Sequence, residues 1–129
     1  MINYPKRGEI WLVSLEPVAG HEIGKTRPAL IISNDRNNEY SSTVTLIPIT
    51  ASIDKIYPFE VFISKVDSGL QLDSKIKCNQ VRTVDKLRLV RLVGEISAER
   101  LIKVEEALLM HIGISKLGNE RINPVCSNI

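Results

Sequence analysis

Glu9-Ile10-Trp11-Leu12-Val13-Ser14-Leu15, followed by Pro17, Gly20, Glu22 and Gly24, then Lys25-Thr26-Arg27-Pro28 and Ala29-Leu30-Ile31-Ile32-Ser33, is the stretch on which the fold turns. The first segment is β-rich and almost unbroken in apolar residues, which predicts a strand packed on both faces and ended by Pro17 and Gly20. Ala29 to Ser33 predicts a second strand. Between them Gly20 and Gly24 allow backbone angles that other residues resist, so the loop can fold tightly and aim its polar side chains. The reading sets Arg27 at the mouth of a rigid sheet. A guanidinium held there presents a fork of donors that matches two phosphate oxygens and stays charged at physiological pH.

The strand pattern continues outward from this hairpin. Ser33, Asn34 and Asp35 offer caps for a single helical turn over Arg36 to Tyr40, and the β-branched run Thr43 to Thr50 predicts a third strand. Pro48 cannot donate to a ladder, so this strand is expected at an edge, or bulged in a way that re-aims Thr50. Phe59 to Ser64 alternates as a fourth strand, Ser74 to Val81 predicts a fifth and Arg88 to Val93 a sixth. One long helix is expected after Ser97, with Glu99 in its first turn, Leu101, Val104, Leu108 and Ile112 on one face, and Gly113 at its end. Six to seven short strands and one helix predict a mainly β domain, a small antiparallel barrel closed to protect its edges.

A chain of 129 residues that is 43% hydrophobic and 25% charged is long enough to bury one core. No run approaches the ~18 consecutive apolar residues of a membrane span, and Met1 to Ile10 lacks the apolar stretch of a secretory signal, so the cytoplasm is the expected address. Cys78 and Cys126 lie far apart without any CxxC or histidine pairing, which predicts free thiols and no zinc site. The net charge of +2 is small. Its distribution is uneven: Lys75, Lys77, Arg82, Lys86, Arg88 and Arg91 face only Asp85 in their segment. Such an island either solvates a strand pair or tracks a nucleic-acid backbone.

The candidate chemistry gathers around the first loop. Arg27 either grips a phosphate or pairs with Glu22 or Asp35. Thr50 has a hydroxyl suited to a phosphoryl oxygen, and is equally a good strand former. His21 shares the loop and, as an imidazole, is a side chain of the type used in proton transfer, and Glu22 beside it can orient it, accept a proton or lock Arg27. His111 reads as a packing residue. No Gly-rich phosphate loop, paired metal-binding carboxylates or activated-serine signature is present, and no cofactor is expected.

Arg7-Gly8-Glu9-Ile10-Trp11, Pro17, Gly20-His21-Glu22, Thr26-Arg27-Pro28-Ala29, Ser33-Asn34-Asp35, Ile49-Thr50 and Gln80-Val81-Arg82-Thr83-Val84-Asp85-Lys86-Leu87-Arg88-Leu89 together resemble the MazF/PemK toxins of bacterial toxin-antitoxin modules. The resemblance covers roughly residues 6 to 113. It implies an SH3-like barrel with a terminal helix, a homodimer, a MazE-like antitoxin partner and metal-independent cleavage of single-stranded mRNA. Within it Arg27 and Thr50 map onto the catalytic pair, Glu22 onto a glutamate implicated in some members, and His21 stands where many members carry serine. A toxin domain over 1–113 and a loosely ordered tail over 114–129 are expected.

If the chain cuts RNA, Lys77, Gln80, Arg82 and Arg88 are expected to hold the strand's backbone, and an acidic antitoxin segment to compete for the same groove. Ile102 and Leu109, off the main helix stripe, are expected to serve the dimer. Two other readings stay open: a catalytically silent barrel that binds RNA or a peptide, and a gyrase-directed toxin of the same superfamily.

Overall fold

The computed structural model describes residues 3–115. Seven strands, β1 (Glu9–Ser14), β2 (Thr26–Ile31), β3 (Thr43–Thr50), β4 (Glu60–Ile63), β5 (Ser74–Lys77), β6 (Arg82–Asp85) and β7 (Leu89–Glu95), form one antiparallel sheet. Its order is β4-β5-β3-β2-β1-β7, with β6 paired to β3. Three helices accompany it: α1 (Asp35–Tyr40), α2 (Lys65–Ser68) and α3 (Ala98–His111).

Six of the seven strands lie where the apolar pattern predicts them; the expected fifth strand, Ser74 to Val81, ends at Lys77 in a turn over Cys78–Gln80, β6 has no counterpart in the sequence reading, and the architecture changes as well. The expected closed barrel is an open sheet, since β4 and β7 end the order without pairing to each other among the described residues. Helix α3 makes closure unnecessary. Its Val104 and Ala107 join Val61, Ile63, Ile76 and Cys78 in one buried cluster, so the helix covers the apolar side of β4 and β5. A second cluster, Val13, Leu15, Ala29, Ile31, Val44, Leu46 and Val84, fills the opposite side of the sheet. β1 therefore does pack on both faces, because Ile10 belongs to the first cluster and Val13 to the second. Ordinary strand alternation puts these two residues on opposite faces, and the register shifts of the β1–β7 ladder, between Ile10 and Trp11 and between Leu12 and Val13, each leave one extra residue on β7.

Pro48 corrects a second expectation. β3 is an interior strand, and its ladders show no bulge at residue 48. Thr45 directs its carbonyl to the Ile32 amide and its own amide to Ser33 Oγ, so the backbone of residue 45 faces β2. By the alternation of an antiparallel ladder, residue 48 faces the other edge. There β3 changes partners, from β6 up to Leu46 to β5 from Ile49. The proline sits where no neighbour asks for its missing donor.

The caps follow the sequence. Asn34 Oδ1 accepts from the Asn37 amide at 2.8 Å and Ser97 Oγ from the Arg100 amide at 3.2 Å. Ile112, expected on the buried stripe, is instead the exposed C-cap of α3. Helix α2 has no counterpart in the sequence reading, although Ser64 caps it and Gly69, at φ 79°, ends it. Its turn lies directly on β7: a Cβ added at Gly94 would collide with the Ser68 carbonyl oxygen. Most of the expected tail, 116–129, lies outside the described residues.

Candidate active site

The register of β2 on β3 places the two leading candidates together. Ile31 faces Leu46, Leu30 faces Ile47 and Ala29 faces Pro48. Continued by two residues, the same register sets Arg27 opposite Thr50 on one face of the sheet. Both residues line a cavity of about 510 Å³. Its remaining wall comes from Leu12 of β1, Lys25, Thr26 and Pro28 of the hairpin, Ile49 and Ala51 beside Thr50, the 69–72 turn with Ser74, and Arg91 and Val93 of β7. The close seat of α2 on Gly94 is what brings the 69–72 turn to β7.

Electrostatically the cavity is one-sided. Lys25, Arg27 and Arg91 contribute to its wall, and no aspartate or glutamate does. Arg27 Nε donates to the Gly24 carbonyl at 2.6 Å, which fixes the guanidinium plane while its terminal nitrogens have no protein partner among the described residues. Neither Glu22 nor Asp35 engages it, so the ion-pair reading of Arg27 is set aside. Lys25 stands at φ 68°, a left-handed conformation unusual for a residue with a side chain, and its amide donates to Glu16 Oε1 at 2.6 Å. Thr50 Oγ1 accepts from the Ser52 amide at 3.3 Å, which leaves its hydroxyl proton available.

The other sequence candidates stand elsewhere. His21 and Glu22 are exposed in the β1–β2 loop and do not line the cavity, and Glu22 Oε1 accepts from the Ala19 amide at 2.7 Å. Lys77, Gln80, Arg82 and Arg88, expected along an RNA backbone, all have protein partners. Lys77 Nζ lies 3.1 Å from Glu60 Oε2. Gln80 Oε1 accepts from the Ile23 amide at 3.3 Å. Arg82 donates to the Leu15 carbonyl at 3.4 Å, and Arg88 to the carbonyls of Ser14, at 3.3 Å, and Glu16. The basic island is thus largely internal: it fastens the β1–β2 loop and neutralises Glu60.

The cationic cavity residues that sequence reasoning passed over as site candidates are Lys25, quoted only as part of the Lys25-Thr26-Arg27-Pro28 run, and Arg91. Arg91 was one cation among six in the island, and only the β1–β7 register, which sets it opposite Leu12, separates it from the others.

Glu60 itself is buried, with Lys75 Nζ at 3.0 Å from Oε1. Burial works against its charge, but the Tyr57 amide and the two lysines outweigh that cost and hold its pKa below the usual carboxylate value. Cys78, behind the same cluster, is pushed up to about 12 by burial and by the Glu60 charge, which leaves an inert thiol. Among the described residues no three His, Cys, Asp or Glu side chains are grouped so as to hold a metal ion, and no helix is long and apolar enough to cross a membrane.

Comparison with known proteins agrees with this fold. Residues 6–112 match the family model of the PemK-like, MazF-like toxins of type II toxin-antitoxin systems. The chain is 40% identical over 114 residues to endoribonuclease MazF9 of Mycobacterium tuberculosis, covering 84% of this chain and 97% of that one. The crystal structure of MazF from Deinococcus radiodurans superposes with a TM-score of 0.77 at 27% identity, over 87% of this chain and 99% of the other. A MazE–MazF complex from the same organism matches with a TM-score of 0.69 at 28% identity, over 86% and 97% of the two chains. The open seven-stranded sheet and its terminal helix are therefore those of the PemK-like, MazF-like toxins of type II toxin-antitoxin systems, the family to which this chain belongs.

Proposed function

We propose that this chain is the toxin of a type II toxin-antitoxin pair and acts as an endoribonuclease on single-stranded RNA, chiefly mRNA, in the cytoplasm. The observation that carries the reading is the wall shared by Arg27 and Thr50, with three cations and no carboxylate. A phosphodiester entering there meets positive charge and a hydroxyl donor, and no acidic side chain to repel it.

RNA brings its own nucleophile. The ribose 2′-oxygen attacks the adjacent phosphorus and gives its proton to water, the bond to the 5′-oxygen breaks, and that oxygen takes up a proton from water. The products are a 2′,3′-cyclic phosphate and a 5′-hydroxyl. Negative charge grows on the non-bridging oxygens during attack, where the Arg27 guanidinium and the Thr50 hydroxyl stabilise it. A guanidinium stays protonated in water at any physiological pH and serves as a charge stabiliser rather than a base. His21 and Glu22 reach the reacting atoms only by movement of the loop that carries them. Lys25 and Arg91 take over from Lys77, Arg82 and Arg88 the role of holding flanking phosphates. The toxin domain is assigned to residues 1–113.

The MazE–MazF assembly of the Deinococcus radiodurans relative supports a MazE-like antitoxin as partner. A homodimer is proposed on the family resemblance, with Ile102, which is 55% exposed on α3, available to it.

Incubation of the protein with a long single-stranded RNA and the matching DNA in excess EDTA, beside Arg27→Ala, tests the reading. Discrete RNA cuts with cyclic-phosphate ends, lost in the variant and absent from DNA, are expected. Removing one preorganised donor of this kind costs about 10²–10³-fold in rate. Intact RNA that nonetheless binds would replace the enzyme with a silent RNA-binding protein.

A further inference from the structure

The buried Glu60 cluster stands next to the proposed catalytic threonine and has no part in the chemistry above. Thr50 on β3 faces Lys75 on β5, and Lys75 in turn faces Phe62 on β4. Directly opposed residues of an antiparallel ladder share a face, with Cβ atoms ~5 Å apart. The register thus draws one transverse row, Arg27, Thr50, Lys75, Phe62, and Lys75 is the immediate neighbour of Thr50 on the side away from Arg27.

Lys75 is not placed to hold RNA. Its side chain is only 8% exposed, and its ammonium group donates to the Lys55 carbonyl at 2.6 Å besides meeting Glu60 Oε1. Glu60 Oε1 also accepts the Tyr57 amide at 3.0 Å, and Lys77, opposite Glu60 in the β4–β5 ladder, neutralises Oε2. Lys55 and Tyr57 both belong to the connection between β3 and β4, which leaves the sheet at Thr50. The cluster therefore ties that connection down at two backbone atoms, within seven residues of Thr50 along the chain. The Tyr57 ring, stacked on Phe59 with a 5.5 Å centroid separation, closes over the knot with the Lys55 and Lys75 ammonium groups at 4.8 and 6.0 Å.

A carboxylate with both oxygens engaged, two lysines and two backbone groups is a costly object to bury. Apolar residues at the same places would serve packing at least as well, so its retention is better explained by the geometry it fixes than by stability. Thr50 Oγ1 is itself bonded to the first turn of the same connection, through the Ser52 amide. Slack in the connection would pass directly to that hydroxyl.

We infer that the buried Lys75–Glu60–Lys77 cluster positions Thr50, with Lys75 as the positioning residue that fixes the hydroxyl opposite Arg27 through the β3–β4 connection. The inference rests on the proposed role of Thr50 in RNA cleavage. It calls for no contact between the cluster and RNA.

A double-mutant cycle tests it. Wild type, Lys75→Met, Thr50→Ala and the double variant are compared by single-turnover cleavage of one RNA oligonucleotide and by its affinity for each protein, with thermal melts to establish folding. Lys75→Met is expected to slow cleavage by about ten- to a hundredfold, the scale of a displacement near 1 Å, while RNA affinity changes by less than about threefold. In the Thr50→Ala background it should slow cleavage no further, because the group it positions has gone. Should Lys75→Met fail to fold, Glu60→Gln, nearly isosteric with the native side chain, carries the same cycle with the same expectation. Cleavage by Thr50→Ala at the wild-type rate overturns the role of Thr50 and this inference with it. A slow Thr50→Ala combined with a wild-type rate for Lys75→Met, with independent multiplicative defects, or with a loss confined to affinity overturns the inference alone.

Discussion

Replacing Arg88 by Met separates the two roles its charge suggests. Its guanidinium donates to the carbonyls of Ser14 and Glu16, and Arg82 takes the Leu15 carbonyl between them, so three successive carbonyls at the start of the β1–β2 loop are held by arginines. A hydrogen bond to a charged group contributes about 1.5–3 kcal/mol when short and buried. The Ser14 contact is 3.3 Å long and the side chain half-buried, so the lower end applies, and solvent reduces it further. Methionine keeps most of the aliphatic packing. The net loss should be about 1–2 kcal/mol, confined to the loop, which corresponds to local opening roughly 5–30 times more frequent. The Leu15 amide, bonded to the Lys25 carbonyl at 2.9 Å, reports it by hydrogen exchange, while the amide of Leu46 in β3 should be unaffected. The same variant binds RNA with an unchanged salt dependence if Arg88 touches no phosphate. A phosphate contact would instead lower the slope of log K against log salt by about 0.7. A slope reduced by that amount together with normal Leu15 exchange would refute the loop assignment and return Arg88 to the RNA.

Three further outcomes are expected. Gly94→Ala should cost about 1–3 kcal/mol in denaturant unfolding, because the added methyl meets the Ser68 carbonyl oxygen and must push α2 from β7; an unchanged midpoint would show that the turn yields freely. Cys78, raised from 9.0 to about 12, favours the folded state fully below pH 9 and loses that contribution progressively as pH rises toward 12; Cys78→Ala should therefore show a shallower fall in stability over that window, and equal slopes would contradict the burial argument. His21→Ala should cleave RNA within about threefold of the wild-type rate and keep its pH profile, since His21 lies outside the cavity wall. A flattened neutral-pH limb in that variant would bring the imidazole into the reaction.

The elements were legible where one local rule decides them. The apolar run of β1, the β-branched β3 and the caps Asn34 and Ser97 need no tertiary information, and they stand where composition and spacing put them. Pro48 and the closure of the sheet were not legible, because each depends on what lies beside the strand. A proline is excluded from an interior strand only where a neighbour requires its donor, and a partner change at that residue removes the requirement. Closure is one way of protecting apolar edges, and α3 supplies another by covering β4 and β5. Four-residue α2 escaped notice because it carries no period, although the Ser64 cap and Gly69 bracket it.

The site was legible in part for the same reason. Arg27 is exceptional in sequence, a lone arginine between glycine-rich loop and strand, and among the described residues its terminal nitrogens have no protein partner. The basic island behaved differently because linear proximity says nothing about direction. Lys75 and Lys77 alternate with Ile76, which is in the core, and so share the face opposite to it, where Glu60 waits across the ladder. That glutamate was itself invisible as a partner, since in an alternating strand the natural reading of a carboxylate between apolar residues is the solvent face. Once it is buried, it must hold two of the island's cations, and the turn at Cys78–Gln80 sends Arg82 and Arg88 toward the β1–β2 loop instead. Of the six positive charges in that segment, only Arg91 reaches the cavity wall, and it does so because β7 returns antiparallel to β1 with Arg91 across from Leu12. Charge count identifies a segment that reaches the cavity; pairing register identifies which of its residues does so.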